Sequence, residues 1–244
     1  MKAFDCNFKL TGPILAAAFK QGYKAVGRYV GRRQMASFDI DNTELKLILD
    51  NGFKVFLVQH CEKPGWIATE DLGRGYGRNA VTFAQSVGYD KGCIIYLDLE
   101  GVLKNCTPDS IIKYCKAWRE EVLKYYTPGI YVGYDSGLTS DQLQSLNFRS
   151  YWRSASAVPD LKLGYAMQQQ QQIKMYVDYV DPNEVSETDK ITPVPYFMTN
   201  GSAARIIRNS GLDKPEIWIK RLDTVPYFEE FVIHIYTKGK KDGV

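Results

Sequence analysis

Two acidic residues close an apolar segment near the middle of the chain. Cys93–Glu100 reads C-I-I-Y-L-D-L-E, so one residue separates Asp98 from Glu100. Strand side chains alternate between faces, which places both carboxylates on one face, about 6.6 Å apart at ~3.3 Å per residue. Paired carboxyl groups at such distances cleave glycosidic bonds, one as a proton donor and one as the charged partner. The pair therefore predicts acid/base chemistry on a glycan.

An isolated D-x-E pair more often lies at the end of a strand and simply faces water. Its interpretation therefore depends on whether other strands also end in acids. Asp5 follows the apolar start of a first strand, while Asp178 and Asp181 lie in a V-D-Y-V-D-P-N segment near the end of the regular pattern. Acids at the ends of several strands face one another across the mouth of a parallel barrel. Asp5 therefore joins Asp98 and Glu100 as a predicted catalytic residue.

The elements that must position these acids alternate along the first 190 residues. Short β-branched or aromatic segments are separated by amphipathic stretches, which is typical of parallel strands joined by crossover helices. The predicted strands are Ala3–Phe8, Ala25–Val30, Lys54–His60, Cys93–Glu100, Gly129–Tyr134, Ser150–Ala155, Tyr165–Gln170 and Met175–Val180. The predicted helices are Gly12–Gly22, Asp41–Asn51, Asp71–Val87, Pro108–Tyr125 and Ser140–Leu146. Eight strands predict an α/β fold, a (β/α)8 TIM-type barrel, whose last units have weak helices and leave an irregular closure open.

The pattern changes after the barrel segment. Thr192–Pro195 predicts a linker, Ser202–Asn209 a short helix, and Glu216–Arg221 with Phe228–Tyr236 an antiparallel hairpin. We therefore predict a barrel domain over residues 1–190 and a small α+β appendage over residues 191–244, which offers a surface for a protein partner.

Composition and charge exclude several classes of function. Thirty-one basic and 28 acidic residues give a net charge of +3, scattered along the chain, which argues against a nucleic-acid groove. No segment is apolar for long enough to insert into a membrane, and the start lacks the apolar core of a signal peptide. We expect a chain that is cytoplasmic as synthesised and that reaches the envelope or the exterior, if it acts there, by a non-Sec route.

The cysteines predict free thiols. Five cysteines without a CxxC pair do not form a complete disulfide framework. Cys61 adjoins His60, but the only other histidine is His234, so no metal site and no cofactor is predicted. The glycine-rich segment Gly73–Arg78 has no strand directly before it and no Lys-Ser/Thr, which favours a loop over a phosphate site.

Four short segments together resemble a known family. They are Phe4-Asp5-Cys6-Asn7, the D-L-E of Asp98–Glu100, Gly129-Ile130-Tyr131 and a closing V-D-x-N. Over about residues 2–185 the chain resembles the glycoside-hydrolase-like family of bacterial TIM-barrel domains. That family is similar in turn to the family 25 lysozymes, muramidases that cleave the N-acetylmuramic acid to N-acetylglucosamine linkage of peptidoglycan.

The resemblance implies a role for each matching residue. Glu100 would be the general acid, Asp98 would stabilise the reacting centre or position the substrate amide, and Asp5 would complete an acidic floor. The predicted substrate-binding residues are Tyr131, Gln168 or Gln169, and Asp178 or Asp181, with Trp66 as the loop residue placed to stack on a sugar. The implied partner is a glycan, peptidoglycan by preference, and the implied enzyme needs no cofactor.

Two other functions remain open at this stage. The lysozymes typically carry a tryptophan before the strand-seven glutamine, where this chain has Met167. That departure favours a catalytically inactive glycan-binding or structural module on the same barrel. Sugar-phosphate metabolism would want a phosphate-binding glycine loop after strand seven or eight, and none is evident. The direction of two carboxyl groups distinguishes the enzyme from the binding module. If Asp98 and Glu100 point outward or are bridged by a buried arginine, the enzyme hypothesis weakens.

Overall fold

The structure, a computed structural model, describes residues 1–175, 178–186 and 197–199 and two further strands. The strands are β1 (Lys2–Cys6), β2 (Tyr23–Val30), β3 (Lys54–Gln59), β4 (Ile94–Leu99), β5 (Thr127–Val132), β6 (Ser150–Arg153), β7 (Met167–Gln169), β8 (Ile173–Met175), β9 (Asp178–Val185), β10 (Glu216–Ile219) and β11 (Ile233–Tyr236). The helices among these residues are α1 (Gly12–Lys20), α2 (Asn42–Asp50), α3 (Glu70–Ser86), α4 (Pro108–Leu123) and α5 (Ser140–Ser145). None of the described helices is both long and apolar enough to cross a membrane.

The strands close into an eight-stranded barrel, which confirms the predicted fold class. β1 to β7 follow one another in parallel, and β9 closes the barrel by pairing antiparallel with both β7 and β1. The predicted eighth strand, Met175–Val180, is wrong in position and direction. That part of the chain instead forms the β8–β9 pair, which is antiparallel. An antiparallel neighbour needs no crossover helix, which explains why the last units lack strong helical patterns.

The core has an inner and an outer layer. The inner layer fills the barrel and contains Ala3, Ala25, Phe56, Val58, Ile94, Tyr96, Trp152, Met167, Val185 and Phe197. The outer layer packs the other strand faces against the helices, and on β4 it includes Ile95, Leu97 and Leu99. The predicted alternation along β4 is therefore confirmed, and Asp98 follows Tyr96 on the face toward the barrel axis.

A residue from the C-terminal part closes the base of the barrel. The Phe197 ring lies 4.9 Å from the Phe56 ring and is buried, while Met198 forms a bridge with Val55 at the start of β3. Since the base is filled, the mouth lies at the carboxyl ends of the parallel strands. Of the predicted appendage, β10 and β11 pair antiparallel. The predicted linker and the helix Ser202–Asn209 lie outside the described residues.

The glycine-rich segment is helical, so its interpretation as a loop is wrong. It forms part of α3, where a Cβ on Gly73 would stand 2.2 Å from the carbonyl oxygen of Tyr114 on α4. At Gly77 the corresponding distance to the Trp118 carbonyl oxygen is 2.8 Å. The glycines thus allow two helices to pack closely.

Candidate active site

Three strand ends bring the predicted acids together at the barrel mouth. Asp5 on β1 is in register with Asp181 on β9, and Asp98 on β4 is in register with Tyr131 on β5. Glu100 follows β4 by one residue. The structure therefore places the predicted catalytic carboxylates on the same open end of the barrel.

Asp5 forms the buried floor of the site. Its side chain is 1% exposed and accepts hydrogen bonds from Asn183 Nδ2 at 2.7 Å, Tyr29 Oη at 3.0 Å and Gln169 Nε2 at 3.4 Å. Burial, and then the nearby Asp181 carboxylate, raise the pKa of Asp5 to about 7, against the opposing effect of the three donors. Near neutral pH this carboxyl group is therefore divided between its protonated and charged forms.

Asp98, Glu100 and Cys61 form a compact cluster beside this floor. One carboxylate oxygen from each acid and the Cys61 sulfur all lie within 4.8 Å of one another. The Cys61 thiol donates to Glu100 Oε1 at 3.6 Å. Asp98 is 6% exposed, and its Oδ1 has no hydrogen-bond partner among the described residues.

Burial raises the pKa of both acids, and the Glu100 charge raises that of Asp98 further. For Asp98, desolvation and then the Glu100 charge raise the pKa well above the ordinary value. For Glu100, desolvation raises the pKa, while the thiol of Cys61 acts in the opposite direction. Two carboxyl groups this close cannot both ionise easily, so the pair retains a proton to higher pH than free carboxyls do.

Among the described residues, no basic side chain forms an ion pair with the cluster. None of the ion pairs among the described residues includes Asp5, Asp98 or Glu100. The fully buried Arg28 instead pairs with Glu44 on α2 at 2.7 Å, in the outer layer. Outward-facing acids or a bridging arginine would have argued against a working carboxylate pair. Neither feature is found among the described residues.

Trp66 positions the backbone of Glu100 from within the core. Trp66 is only 9% exposed, packs 4.9 Å from the Tyr114 ring, and donates from Nε1 to the Glu100 carbonyl oxygen at 2.8 Å. The structure therefore encloses the ring that was predicted to stack on a sugar within the outer core. Its indole instead fixes the backbone that carries the acid.

Gln169, not Gln168, faces the site. Gln169 accepts from Tyr131 Oη at 3.0 Å and donates to Asp5, whereas Gln168 is exposed. Met167 fills the barrel interior, and its neighbour two positions on must share that face. Of the two glutamines that the sequence left open, the structure thus places Gln169 at the mouth and Gln168 away from it.

Strand alternation also separates the two aspartates of β9. Asn183 and Val185 face the barrel interior, so Asp181 shares their face, while Asp178 shares the opposite face with Val180 of the outer layer. Gln172 Nε2 contacts Asp181 Oδ1 at 3.4 Å, and burial raises the pKa of Asp181. The structure brings Asp181 to the mouth and places Asp178 away from it.

Several residues at the site were missed from the sequence. Tyr29 and Asn183 bind Asp5, and Cys61 contacts Glu100. Asn183 belongs to the closing V-D-x-N segment and could have been found there, but only the fold reveals Tyr29 and Cys61. Tyr134 is also new: it is 40% exposed, and desolvation together with the nearby Glu100 carboxylate raises its pKa. It offers an aromatic surface at the rim that Trp66 does not.

A family model described as Rv2525c-like, glycoside hydrolase-like domain matches residues 16–195 of this chain. The chain belongs to this glycoside hydrolase-like family. The matched range includes Asp98, Glu100 and Gln169, but Asp5 precedes it. No curated protein matches the chain.

Solved structures show the same fold as this Rv2525c-like domain at low sequence identity. An uncharacterized B. stearothermophilus protein is 18% identical with a TM-score of 0.59, covering 77% of this chain and 96% of its own. The Mycobacterium tuberculosis Tat-secreted protein Rv2525c is 16% identical with a TM-score of 0.59, covering 76% and 95%. The muramidase from Acremonium alcalophilum is 15% identical with a TM-score of 0.53, covering 77% and 94%. At these identities the likeness establishes the fold alone.

The chemistry available to this glycoside hydrolase-like domain follows from its own side chains. Glu100 is half-buried, reachable from the mouth, and holds its proton more strongly than a free glutamate. Asp98 presents an unpaired oxygen to the same space, and Asp5 lies below on a network of amide and phenol donors. The arrangement combines a proton donor with an oxygen that can accept a hydrogen bond from a ligand.

Proposed function

We propose that this protein is a glycosidase that hydrolyses a β-linked amino-sugar polymer, with peptidoglycan as the preferred substrate. The observation that carries the proposal is the unpaired Oδ1 of buried Asp98 beside the protonatable Glu100. A buried oxygen without a partner costs free energy that a substrate donor recovers on binding. The N–H of an N-acetyl group on an amino sugar is a donor of the required kind.

Substrate binding would place the shared proton on the correct acid. A hydrogen bond from the substrate amide to Asp98 favours the charged form of that carboxylate. The proton of the coupled pair then resides on Glu100, at the entrance of the site. Binding of the substrate therefore also protonates Glu100, the acid that catalysis needs.

Hydrolysis then follows with balanced bonds and charges. Glu100 transfers its proton to the glycosidic oxygen as the bond to the anomeric carbon breaks, and charged Asp98 stabilises the positive charge that develops there. Water then attacks that carbon from the face that the leaving oxygen vacated, on the side of Glu100, and gives a proton back to the Glu100 carboxylate. One carboxylate oxygen of each acid lies within 4.8 Å of one oxygen of the other. The carboxyl groups of retaining glycosidases lie about 5–5.5 Å apart, and those of inverting glycosidases about 6.5–9.5 Å apart. The shorter separation fits this pair, so we expect retention of the anomeric configuration.

The comparisons support the substrate class without deciding it. The chain belongs to a glycoside hydrolase-like family, and a structural neighbour is described as a muramidase. Another neighbour is described as Tat-secreted, which accords with delivery of this protein to a cell wall by a route other than Sec.

A non-catalytic glycan-binding module is the second candidate. The buried ring of Trp66 favours it, since no tryptophan among the described residues offers an open face to a sugar at the mouth. Such a module would bind the glycan through the same residues and release nothing.

The test measures soluble fragments released from purified peptidoglycan by the wild type, Glu100→Gln and Glu120→Gln. Glu100→Gln keeps the shape and removes the transferable proton, so we expect release to fall to background. Glu120 lies exposed on α4, and its substitution is the matched control. Equal release by wild type and Glu100→Gln contradicts the assignment. Cosedimentation with peptidoglycan without any release supports the binding module.

A further inference from the structure

We propose that Cys61, Asp98 and Glu100 form a binding site for a divalent transition-metal ion, with Zn²⁺ as the preferred ion, and that an ion bound there blocks the proposed acid. The metal site goes beyond the proposed function and does not depend on it. The inhibition rests on the proposed function.

The spacing of the three side chains suits a tetrahedral ion. Their ligand atoms lie within 4.8 Å of one another, and the distance from Cys61 Sγ to Glu100 Oε1 is 3.6 Å. Zinc binds thiolate sulfur at about 2.3 Å and carboxylate oxygen at about 2.0 Å, which in a tetrahedron puts sulfur and oxygen about 3.5 Å apart. An ion can therefore replace the thiol proton between these two atoms with little movement.

The unpaired carboxylate oxygen is an independent sign of a missing partner. Asp98 is more than nine-tenths buried, its Oδ1 accepts no hydrogen bond from the part of the chain that the structure describes, and no ion pair there includes either acid of the cluster. Buried charges in proteins are paired or coordinate metals. A cation that binds Asp98 and Glu100 together would also offset the repulsion between the two carboxylates.

The ligand types favour a transition metal over magnesium or calcium. A thiolate is a soft ligand that selects zinc-like ions, while Mg²⁺ and Ca²⁺ prefer oxygen alone. His60, next in sequence to Cys61, is engaged elsewhere, since its Nε2 lies 2.8 Å from Asp39 Oδ1. Three protein ligands leave the fourth position to water, and half-buried Cys61 and Glu100 give the ion a path from the mouth.

Metal binding and acid catalysis exclude each other because they compete for the same lone pairs. The ion displaces the Cys61 proton and the proton shared by Asp98 and Glu100, and both protons pass to the solvent. A Glu100 carboxylate held by the ion has no proton to give to a glycosidic oxygen. Because binding releases protons from the ligands, Zn²⁺ binding should strengthen as pH rises.

The first test uses Co²⁺ as a spectroscopic probe and Zn²⁺ in competition with a chromophoric chelator, both on the full chain. We expect one equivalent of Co²⁺ to produce a thiolate-to-cobalt charge-transfer band, and Zn²⁺ to abolish it. Cys61→Ser should remove the band and weaken Zn²⁺ binding by at least about tenfold, the loss that follows from removing even an outer-shell partner. Cys106→Ser is the control, because Cys106 is also a half-buried free thiol but lies away from the acids.

A missing band, or a band that persists in Cys61→Ser, overturns the metal site. Asp98→Asn provides a second variant, which should weaken Zn²⁺ binding while retaining Cys61, and thermal melts show whether each variant is folded. Fragment release with and without Zn²⁺ then tests the inhibition. Zn²⁺ binding that leaves release unchanged overturns the inhibition. No release in either condition contradicts the proposed function and leaves the metal site standing.

Discussion

Gly133 lies directly against the side chain of Glu100. A Cβ at position 133 would stand 2.3 Å from Glu100 Oε2 and 2.5 Å from Glu100 Cβ. The second contact involves the fixed root of the side chain, so rotation of the carboxylate alone cannot relieve it. The absence of a side chain at position 133 is what lets the acid occupy its place.

Gly133→Ala should therefore displace the acid. A misplacement of about 1 Å costs on the order of 10²-fold in rate, and we expect a loss of that size in fragment release. Gly75→Ala is the matched control, since its Cβ would meet nothing within 4 Å. A Gly133→Ala variant that melts near the wild-type temperature and retains full activity would contradict this account of Glu100.

The two glutamines of β7 form a natural pair for comparison. Gln169→Ala removes contacts to Asp5 and Tyr131, whereas Gln168→Ala removes an exposed side chain. A hydrogen bond that involves a charged group contributes about 1.5–3 kcal/mol, so Gln169→Ala should lower kcat/KM by about tenfold or more. Gln168→Ala should change it little. Equal effects would show that the face assigned to β7 is incorrect.

The buried Asp5 should make folding stability depend on pH. Its pKa rises from 3.8 to about 7 on folding, so the folded state binds a proton more tightly than the unfolded chain. This stabilising contribution is complete below pH 4 and is lost as the pH rises to 7, at up to about 1.4 kcal/mol per pH unit.

Asp5→Asn should flatten this dependence, because an amide does not titrate. Urea unfolding at several pH values between 4 and 8 measures the slope for both proteins. We expect the stability of the variant relative to the wild type to increase toward pH 8. A constant difference across that range would mean that Asp5 keeps an ordinary pKa in the fold.

The pH profile of fragment release reports on the coupled acids. Because burial raises the pKa of Glu100, release should persist above the pH at which a free glutamate loses its proton and should fall on the alkaline side. Asp98→Asn removes a neighbouring negative charge, so its residual activity should lose the alkaline side at lower pH. An unchanged or higher alkaline limit in that variant would argue against coupling between the two acids.

Local pattern was sufficient to predict the fold class and the D-x-E pair. β4 reads as an apolar strand with two acids on one face, and the structure confirms that face. The first five crossover units carry clear helical periodicity, and each appears as a helix. These features depend on side-chain alternation and helix period, which neighbouring residues set.

Features that depend on pairing between distant strands could not be predicted from local sequence pattern. The eighth barrel strand was placed at Met175–Val180, whereas Asp178–Val185 forms it, because closure against β1 and β7 selects the register and direction. The choice between Gln168 and Gln169, and between Asp178 and Asp181, depends on the same registers. A shift of one residue reverses every side chain on a strand.

The sequence by itself thus determined the first seven barrel strands and that acids end several strands, since local periodicity and residue type carry that information. The tertiary structure alone decided which side chains share the mouth. Trp66 became a buried donor to the Glu100 backbone because the outer core encloses its ring. Cys61 became a neighbour of Asp98 and Glu100 because β3 and β4 pair in parallel and end together. The burial that raises the pKa values of these acids likewise arises only once the barrel closes.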